Sequence, residues 1–221
     1  MKVIILGISG GIGEQLLGKF LAENHFVIGT YNKSFNRRKF KNISNLNSYK
    51  LNLRSESQIK KFIKFSLKKY NHIDVIINST GDFFYDDIQN LSLKRLKECF
   101  NLNVFSNILI NKYLAKLKKN KKKTIIVNLG SSSAEQPFKN TISYCSSKTA
   151  LVSAIQCINL QKFNNIFNTV INFGSVKTKM GKKVKGQNYN KFFKPSDIAE
   201  FVYKNISSNI MAEKYSIKRF S

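Results

Sequence analysis

The sequence has few of the residues that build metal sites or disulfide scaffolds. Its 221 residues include 3 cysteines, 2 histidines, 2 prolines and no tryptophan. Cys99, Cys145 and Cys157 form no CxxC pair, and so few histidines do not support a zinc site. The odd number of cysteines favours reduced thiols, which are typical of a cytosolic protein. We therefore expect no metal and a cytoplasmic location.

Long apolar runs and low-complexity linkers are also missing. No segment reaches the ~18 apolar residues that a membrane span requires. The short apolar run near the N-terminus breaks into glycines with no cleavage-like site, which does not fit a signal peptide. With 42% hydrophobic residues, a chain of this length suits one domain with a sizeable core. We predict a single domain over residues 1–221 and no membrane association.

Acidic residues are scarce, with 12 Asp and Glu against 38 Lys and Arg, so the net charge is +26. Such a charge can serve an anionic partner such as a nucleic acid. Coding bias is the alternative, because Lys, Asn, Ile, Phe and Ser are all abundant and the lysines are spread along the chain. Nucleic acid is the disfavoured partner, since the sequence has no zinc-finger spacing, RNP-like aromatic motif or heptad zipper.

Short apolar runs alternate with segments of helical period. Strands are predicted at 2–8, 25–31, 48–53, 73–78, 124–129, 169–173 and 215–218, and helices at 14–23, 55–70, 92–117, 141–163 and 195–206. Continuous apolar strands separated by helices predict an α/β fold, a Rossmann-like doubly wound parallel sheet with helices on both faces. Ligands of such a sheet bind beyond the carboxyl ends of its strands.

A glycine-rich turn follows the first predicted strand and precedes a helix. It comprises Gly7, Ile8, Ser9, Gly10, Gly11, Ile12 and Gly13. Glycine allows the backbone to approach a pyrophosphate, and a helix start offers free N–H groups to its phosphates. The turn is therefore a candidate dinucleotide-binding loop.

The spacing Gly-x-x-x-Gly-x-Gly resembles the TGxxxGIG loop of the short-chain dehydrogenase/reductase family, with Leu6 in place of the usual Thr. That Thr supports the loop from inside, so we expect altered packing rather than lost binding. The resemblance implies an NAD(P) cofactor held also by three later segments. Asn52 and Leu53 would lie against adenine, and Asn78, Ser79 and Gly81 stand where the family has NNAG. Val176 and Thr178 would bind the nicotinamide carboxamide. In that last segment Phe173 replaces the family's Pro.

The end of the second strand bears on the choice of cofactor. An acidic side chain there would bind the ribose 2′-OH of NAD and repel a 2′-phosphate. This chain instead has Asn32, Lys33 and Ser34, and no carboxylate occurs between Glu23 and Glu56. We expect NADPH to be favoured over NADH.

Four residues match the family's catalytic set by order and spacing. Tyr144 and Lys148 form YxxxK, Ser131 lies thirteen residues before Tyr144, and Asn103 lies 28 residues before Ser131. Tyr144 would donate a proton to the developing alkoxide. The charge of Lys148, one helical turn away, together with that of the nicotinamide ring in the oxidised complex, would lower the tyrosine pKa. Lys148 would also hydrogen-bond the nicotinamide ribose. Ser131 would polarise the substrate carbonyl. By resemblance, Asn103 would hold a water that relays protons to Lys148.

The resemblance implies an NADPH-dependent carbonyl reductase acting on a ketone or a 3-oxoacyl thioester. A reductase of nucleotide-sugar intermediates in surface polysaccharide synthesis and a non-catalytic, NADP-binding regulatory member remain alternatives. The basic segment 179–194 is the expected substrate lid, and its lysines would suit an anionic substrate or merely reflect bias. The family forms dimers and tetramers through the helices predicted at 92–117 and 141–163, where Leu109, Ile110, Leu151 and Ile155 would either make that contact or face the sheet.

Overall fold

Seven parallel strands form one sheet in the computed structural model, which describes residues 1–40, 43–163, 165–208 and 212–217. Every adjacent pair is parallel, and the order is β3-β2-β1-β4-β5-β6-β7. This arrangement confirms the predicted doubly wound sheet. The strands are β1 (Lys2–Leu6), β2 (Phe26–Tyr31), β3 (Leu46–Lys50), β4 (Val75–Asn78), β5 (Thr124–Leu129), β6 (Ile166–Phe173) and β7 (Lys214–Ile217).

Helices cover both faces of the sheet. They are α1 (Gly11–Ala22), α2 (Glu56–Tyr70), α3 (Leu93–Phe100), α4 (Ser106–Leu117), α5 (Ile142–Leu160) and α6 (Pro195–Ser207). Side chains alternate along each strand, so Val3 and Ile5 pack with α1 and α6, while Ile4 and Leu6 pack with α2 and α4. Both faces are apolar because both are buried, as expected of a parallel sheet.

The helix predicted at 92–117 is interrupted in its middle. Residues Asn101–Phe105 form a π-helical turn between α3 and α4. The side chain of Asn107 donates to the backbone carbonyl of Asn103 across this turn, at 3.0 Å. A π-helical turn rotates the side chains that follow it about the helix axis. Such turns often occur at functional sites.

Other boundaries differ from prediction by a few residues. The first strand ends at Leu6, because Gly7 turns the chain with φ of +90°. Ser55 caps α2 by accepting from the Gln58 N–H at 3.4 Å, but the Gln58 side chain accepts from Asn52 N rather than completing a capping box. The last predicted strand, 215–218, is observed at Lys214–Ile217, and Lys218 lies outside the described residues.

The apolar residues considered for subunit contact face the sheet instead. Ile110, Leu151 and Ile155 are buried in the core, and Leu109 packs against it. Exposed apolar side chains on these helices that the sequence did not single out include Ile108 on α4, Ile142 and Leu160 on α5, and Phe105 in the π-helical turn.

Candidate active site

The glycine turn is held against the ends of β2 and β4. The backbone N–H groups of Gly7 and Ile8 both donate to Thr30 O, at 3.0 and 2.9 Å. A Cβ added at Gly13 would lie 2.1 Å from the Gly7 carbonyl oxygen, so only glycine permits the first turn of α1 to approach the loop this closely. The turn therefore presents backbone and the start of a helix to the cleft, as a phosphate cradle requires.

Leu6 stands where the family has a threonine, and the loop is supported from another side. The Leu6 carbonyl accepts from both the backbone N–H and the hydroxyl of Ser79, at 3.1 and 2.7 Å. Ser79 is itself a departure from the family pattern. Its hydroxyl binds β1 and lies against the glycine turn, so Ser79 supports the loop from the side of β4.

A cavity of about 470 Å³ lies beyond the carboxyl ends of the strands. This is the position that the fold predicts for a ligand. The predicted site residues on its wall are Gly7, Ser9, Gly10, Gly11, Ile12, Asn32, Leu53, Ser79, Gly81, Tyr144, Lys148 and Thr178. Those not on its wall are Gly13, Lys33, Ser34, Asn52, Asn78, Asn103, Ser131 and Val176.

The wall beside β2 carries charge that the sequence did not place there. Glu14, at the start of α1, lines the cavity, and its carboxylate is paired at 2.8 Å with Lys39 from the loop after β2. Arg54, in the loop after β3, also lines the cavity and forms an ion pair with Asp82. Lys33 is exposed on the same loop as Lys39. Arg54 therefore lines this end of the cavity, and the Glu14 carboxylate on the wall is paired with Lys39.

Asn52 and Asn78, both predicted to touch the cofactor, bind other parts of the protein. Asn52 Oδ1 accepts from Arg54 N at 3.0 Å, which closes a turn after β3. The buried Asn78 donates to Asn107 on α4 at 2.6 Å, and its carbonyl oxygen accepts from Thr80 N and Oγ1. These contacts shape the loops that carry Leu53 and Gly81 to the cavity.

Ser131, Tyr144 and Lys148 come together at the edge of the cavity. Ser131 Oγ lies 2.9 Å from Ser133 Oγ, and the Ser131 side chain is close enough to the Tyr144 phenol to act on its pKa. Lys148 Nζ donates to the carbonyl of Leu129 at 2.9 Å and lies 5.9 Å from the centroid of the Tyr144 ring. Helix α5 thus places both of its residues beside the loop that follows β5.

The start of α5 is capped from a distant loop. The backbone N–H of Ser143 lies 3.1 Å from Asp86 Oδ1, and the Ser143 hydroxyl also donates to this buried carboxylate. Thr141 precedes the helix, but its hydroxyl is turned to the Phe138 carbonyl instead. A carboxylate at a helix start is favourable, and this one fixes the turn that carries Tyr144.

Burial sets the pKa values of the two residues on α5. It raises the pKa of Tyr144 to about 12, although the neighbouring Ser131 side chain acts in the opposite direction. Burial lowers the pKa of Lys148 to about 8. For the chain by itself, loss of solvation therefore dominates the tyrosine pKa, and the lowering expected with the oxidised nicotinamide bound stays a prediction.

Asn103 is buried behind the cavity, and its side chain binds the loop after β4. Its Oδ1 accepts from Asp82 N at 2.9 Å, and its Nδ2 donates to Asp82 O at 3.0 Å and to Ser147 Oγ at 3.0 Å. A Cβ added at Gly81 would lie 3.3 Å from Asn103 Oδ1 and 3.8 Å from Lys148 Nζ. In this arrangement Asn103 anchors residues 81–82 beside Lys148 instead of presenting a free amide to water.

An aromatic cluster borders Tyr144 on the side away from the glycine turn. The Phe83 ring meets the Tyr144 ring edge-on at 4.9 Å and stacks with Phe138 at 6.3 Å. Tyr85, also against Phe83, accepts from the backbone N–H of Lys185 at 2.6 Å, which ties the predicted lid to this cluster. Phe83 could not be identified from the sequence, because an isolated aromatic in a loop has no periodic signal.

The lid begins with a turn centred on Thr178. Its hydroxyl accepts from Gly181 N at 3.0 Å, and Val176 forms a β-bridge with Phe193 at the other end of the segment. Phe173, which replaces a proline of the family pattern, ends β6 with its side chain in the core and also borders the cavity. Met180 and Lys179 extend the wall from the lid.

Residues 1–40, 43–163, 165–208 and 212–217 contain no group of three or more His, Cys, Asp or Glu side chains able to hold a metal ion. Over those same ranges, none of the helices combines the length and apolarity needed to cross a membrane.

Known proteins match this chain in sequence family and in fold. The family described as short chain dehydrogenase matches residues 1–188. An uncharacterized oxidoreductase of Bacillus subtilis, YvrD, is 24% identical over 155 residues, which is 68% of this chain and 59% of the relative, so the chain spans less than two thirds of that protein.

Two solved structures share the fold over nearly the full length of both chains. A 3-ketoacyl-(acyl-carrier-protein) reductase from Brucella melitensis complexed with NADH has a TM-score of 0.86 at 16% identity, covering 98% of this chain and 96% of the other. ElxO with NADP bound has a TM-score of 0.81 at 23% identity, with the same coverage. At these identities, the likeness concerns the fold.

Proposed function

The chain belongs to the short chain dehydrogenase family, and from this membership we propose that it is an NADP(H)-dependent oxidoreductase that reduces a carbonyl group. The observation that carries the proposal is the meeting of Tyr144 and Lys148 on the wall of a cavity that the glycine turn also lines, with Ser131 close to the Tyr144 phenol. Each of these residues is common alone. Their convergence beyond the carboxyl ends of a doubly wound sheet supports one reaction site.

The cavity wall fits a nicotinamide dinucleotide. A Cβ at Gly7 or Gly13 would collide with neighbouring atoms, so the loop keeps space and bare backbone for a pyrophosphate. Leu53 and Asn32 would border the adenosine half, and Lys148 and Thr178 the nicotinamide half. When bound, the cofactor supplies the hydride.

The chain's own residues would handle the proton and the oxygen of the substrate. A hydrogen bond from Ser131 would polarise the carbonyl, and Tyr144 would donate a proton to the developing alkoxide. The raised pKa of Tyr144 keeps the phenol protonated at neutral pH, as reduction requires. Lys148, fixed by the Leu129 carbonyl, would bring a positive charge near the phenolate formed as the proton leaves.

Replacement of Tyr144 tests this assignment. Tyr144→Phe should reduce kcat by roughly 10²–10⁴-fold, the usual contribution of a positioned general acid, while NADPH still quenches or shifts protein fluorescence on binding. Tyr203→Phe is the matched control, because it deletes a phenol of α6 that donates to Glu23 just after α1 and does not line the cavity. Near-normal turnover by Tyr144→Phe would reject the mechanism.

The preference for NADPH follows from the basic loop after β2. Lys33 and Ser34 are exposed beside Asn32 on the wall, and the nearby Glu14 is paired with Lys39. We expect kcat/KM to be higher with NADPH than with NADH. Asn32→Asp should lower the ratio of kcat/KM with NADPH to kcat/KM with NADH, because a carboxylate at position 32 repels a 2′-phosphate. A wild-type preference for NADH would contradict this part of the proposal.

The substrate class is proposed as an acyl thioester or another ketone with an apolar portion, since Phe83 packs edge-on against Tyr144 and also stacks with Phe138. The lysines of the lid would suit an anionic group on the same molecule. An NADPH-oxidation screen over acyl thioesters, keto-sugars and simple ketones tests the assignment. Activity confined to the keto-sugars would favour a role in nucleotide-sugar reduction.

We also propose a homo-oligomer formed through α4 and α5. Phe105, Ile108 and Ile142 expose 47%, 36% and 37% of their surface along these helices. Light scattering that gives one chain per particle at micromolar concentration would exclude it.

A further inference from the structure

The loop that carries Ser131 is held from behind by two residues without an assigned role. The backbone N–H of Ser131 donates to Asn172 Oδ1 at 3.1 Å. Asn172 Nδ2 in turn donates to Glu135 Oε1 at 3.2 Å. Asn172 lies near the end of β6 with 1% of its surface exposed, so its amide has no solvent to replace these partners.

Space for the Asn172 side chain exists because residue 130 is glycine. A Cβ at Gly130 would lie 2.0 Å from Asn172 Oδ1 and 2.8 Å from a methyl group of Val170. Every other residue type would force the amide away from the loop. Gly130, Asn172 and the Ser131 N–H therefore fit together as one packing unit.

Glu135 closes the same loop in two ways. Its backbone N–H donates to Ser132 O at 3.0 Å, which completes the tight turn after Ser131. Its carboxylate leaves that turn and binds β7, where Lys214 lies at 2.8 Å and the Ser216 hydroxyl also donates. The turn is thus tied to the edge strand of the sheet.

The carboxylate also determines which way the Asn172 amide faces. An acidic oxygen accepts hydrogen bonds but cannot donate one, so it selects the Nδ2 end of the amide. Oδ1 is then left facing the Ser131 N–H. If the amide were reversed, two donors would face each other at Ser131 and two acceptors at Glu135.

We propose that Asn172 and Glu135 are positioning residues that hold Ser131 at the distance from Tyr144 required for carbonyl reduction. The Asn172–Glu135 pair acts through the backbone of Ser131 and touches neither substrate nor cofactor. This inference rests on the proposed carbonyl reductase activity. A catalytic group misplaced by about 1 Å can cost roughly 10²-fold in rate.

A double-variant experiment tests the pair. Asn172→Asp keeps an acceptor for the Ser131 N–H but places a second carboxylate against Glu135, and we expect kcat to fall tenfold or more while the Kd for NADPH changes less than threefold. Adding Glu135→Gln restores a donor opposite the introduced carboxylate and should recover most of the lost kcat. Glu213→Gln, which alters an exposed acid on the same edge of the sheet, is the matched control and should leave kcat unchanged.

Amide hydrogen exchange provides a readout that does not need turnover. The Ser131 N–H should exchange at least tenfold faster in Asn172→Ala than in wild type, with urea midpoints measured for both. Full kcat in Asn172→Asp, no recovery in the double variant, or unchanged exchange at Ser131 would each overturn the proposal. If the wild type reduces no carbonyl while exchange responds as expected, the proposed function fails and the anchoring of Ser131 stands.

Discussion

Lys148 is a buried cation, and its replacement should change stability in a way that depends on pH. The residue exposes 4% of its surface, and burial lowers its pKa from 10.5 to about 8. Below pH 8 the folded protein carries a charge that it solvates poorly. Between pH 8 and 10.5 the unfolded chain binds a proton at this position and the folded chain does not, so raising the pH through this window stabilises the fold.

The size of the effect follows from the two pKa values. Linkage gives a cost of about 3 kcal/mol at pH 7 and about 1 kcal/mol at pH 10. Lys148→Met removes this cost at every pH, and it also removes the donor to the Leu129 carbonyl, a loss that does not vary with pH. The stability of the variant relative to wild type should therefore decline by about 2 kcal/mol from pH 7 to pH 10.

Urea unfolding of both proteins without added cofactor, at pH 7, 8, 9 and 10, measures this difference. Lys116→Met, which deletes one exposed lysine of α4, is the control for the loss of a surface charge. Lys148→Met should also lose carbonyl reduction at every pH. We therefore expect the variant to be inactive at pH 7, where removing the buried charge stabilises the fold most. A difference in stability between the two proteins that stays constant across the series would refute the buried-charge reasoning.

Two further predictions concern the cradle and the loop after β4. Gly13→Ala should abolish measurable NADPH binding in a fluorescence titration, because its Cβ would lie 2.1 Å from the Gly7 carbonyl oxygen. Gly18→Ala in the same helix is the control. Its Cβ meets no atom within 4 Å, so this variant should raise the free energy of unfolding by ~0.5–1 kcal/mol. Asn103→Ala leaves the Asp82 N–H without its partner and the Asp82 carbonyl with only the Cys99 thiol, and it should cost roughly 1–3 kcal/mol in urea unfolding. A loss below ~0.5 kcal/mol would show that Asn103 does not anchor this loop.

The order of strands and helices could be predicted from the sequence because it depends on local pattern. Apolar runs bounded by polar segments indicate buried strands, and a helix of period 3.6 places Tyr144 and Lys148 on one face whatever surrounds them. The glycine turn was equally local, since Gly7 must adopt φ of +90° and follows directly on β1. Predicted boundaries at 124–129 and near 195–206 agree with β5 and α6.

The local sequence pattern could not predict contacts between segments that are distant along the chain. Asn103 was identified by its spacing from Ser131. Its partner Asp82 lies 21 residues away along the chain. The two residues meet only because α3 and the π-helical turn pack near the end of β4. Glu135 and Asn172 are 37 residues apart and meet because β5 and β6 are neighbours in the sheet. No spacing rule joins them.

The sequence by itself determined the family, the order of the elements and the identity of the proposed reacting side chains, since each depends on residue type and short-range spacing. The tertiary structure alone decided the pKa values of Tyr144 and Lys148. Burial removes water from both side chains, raising one pKa and lowering the other. Solvation depends on every element packed around a group, and so it is defined only once the chain has folded.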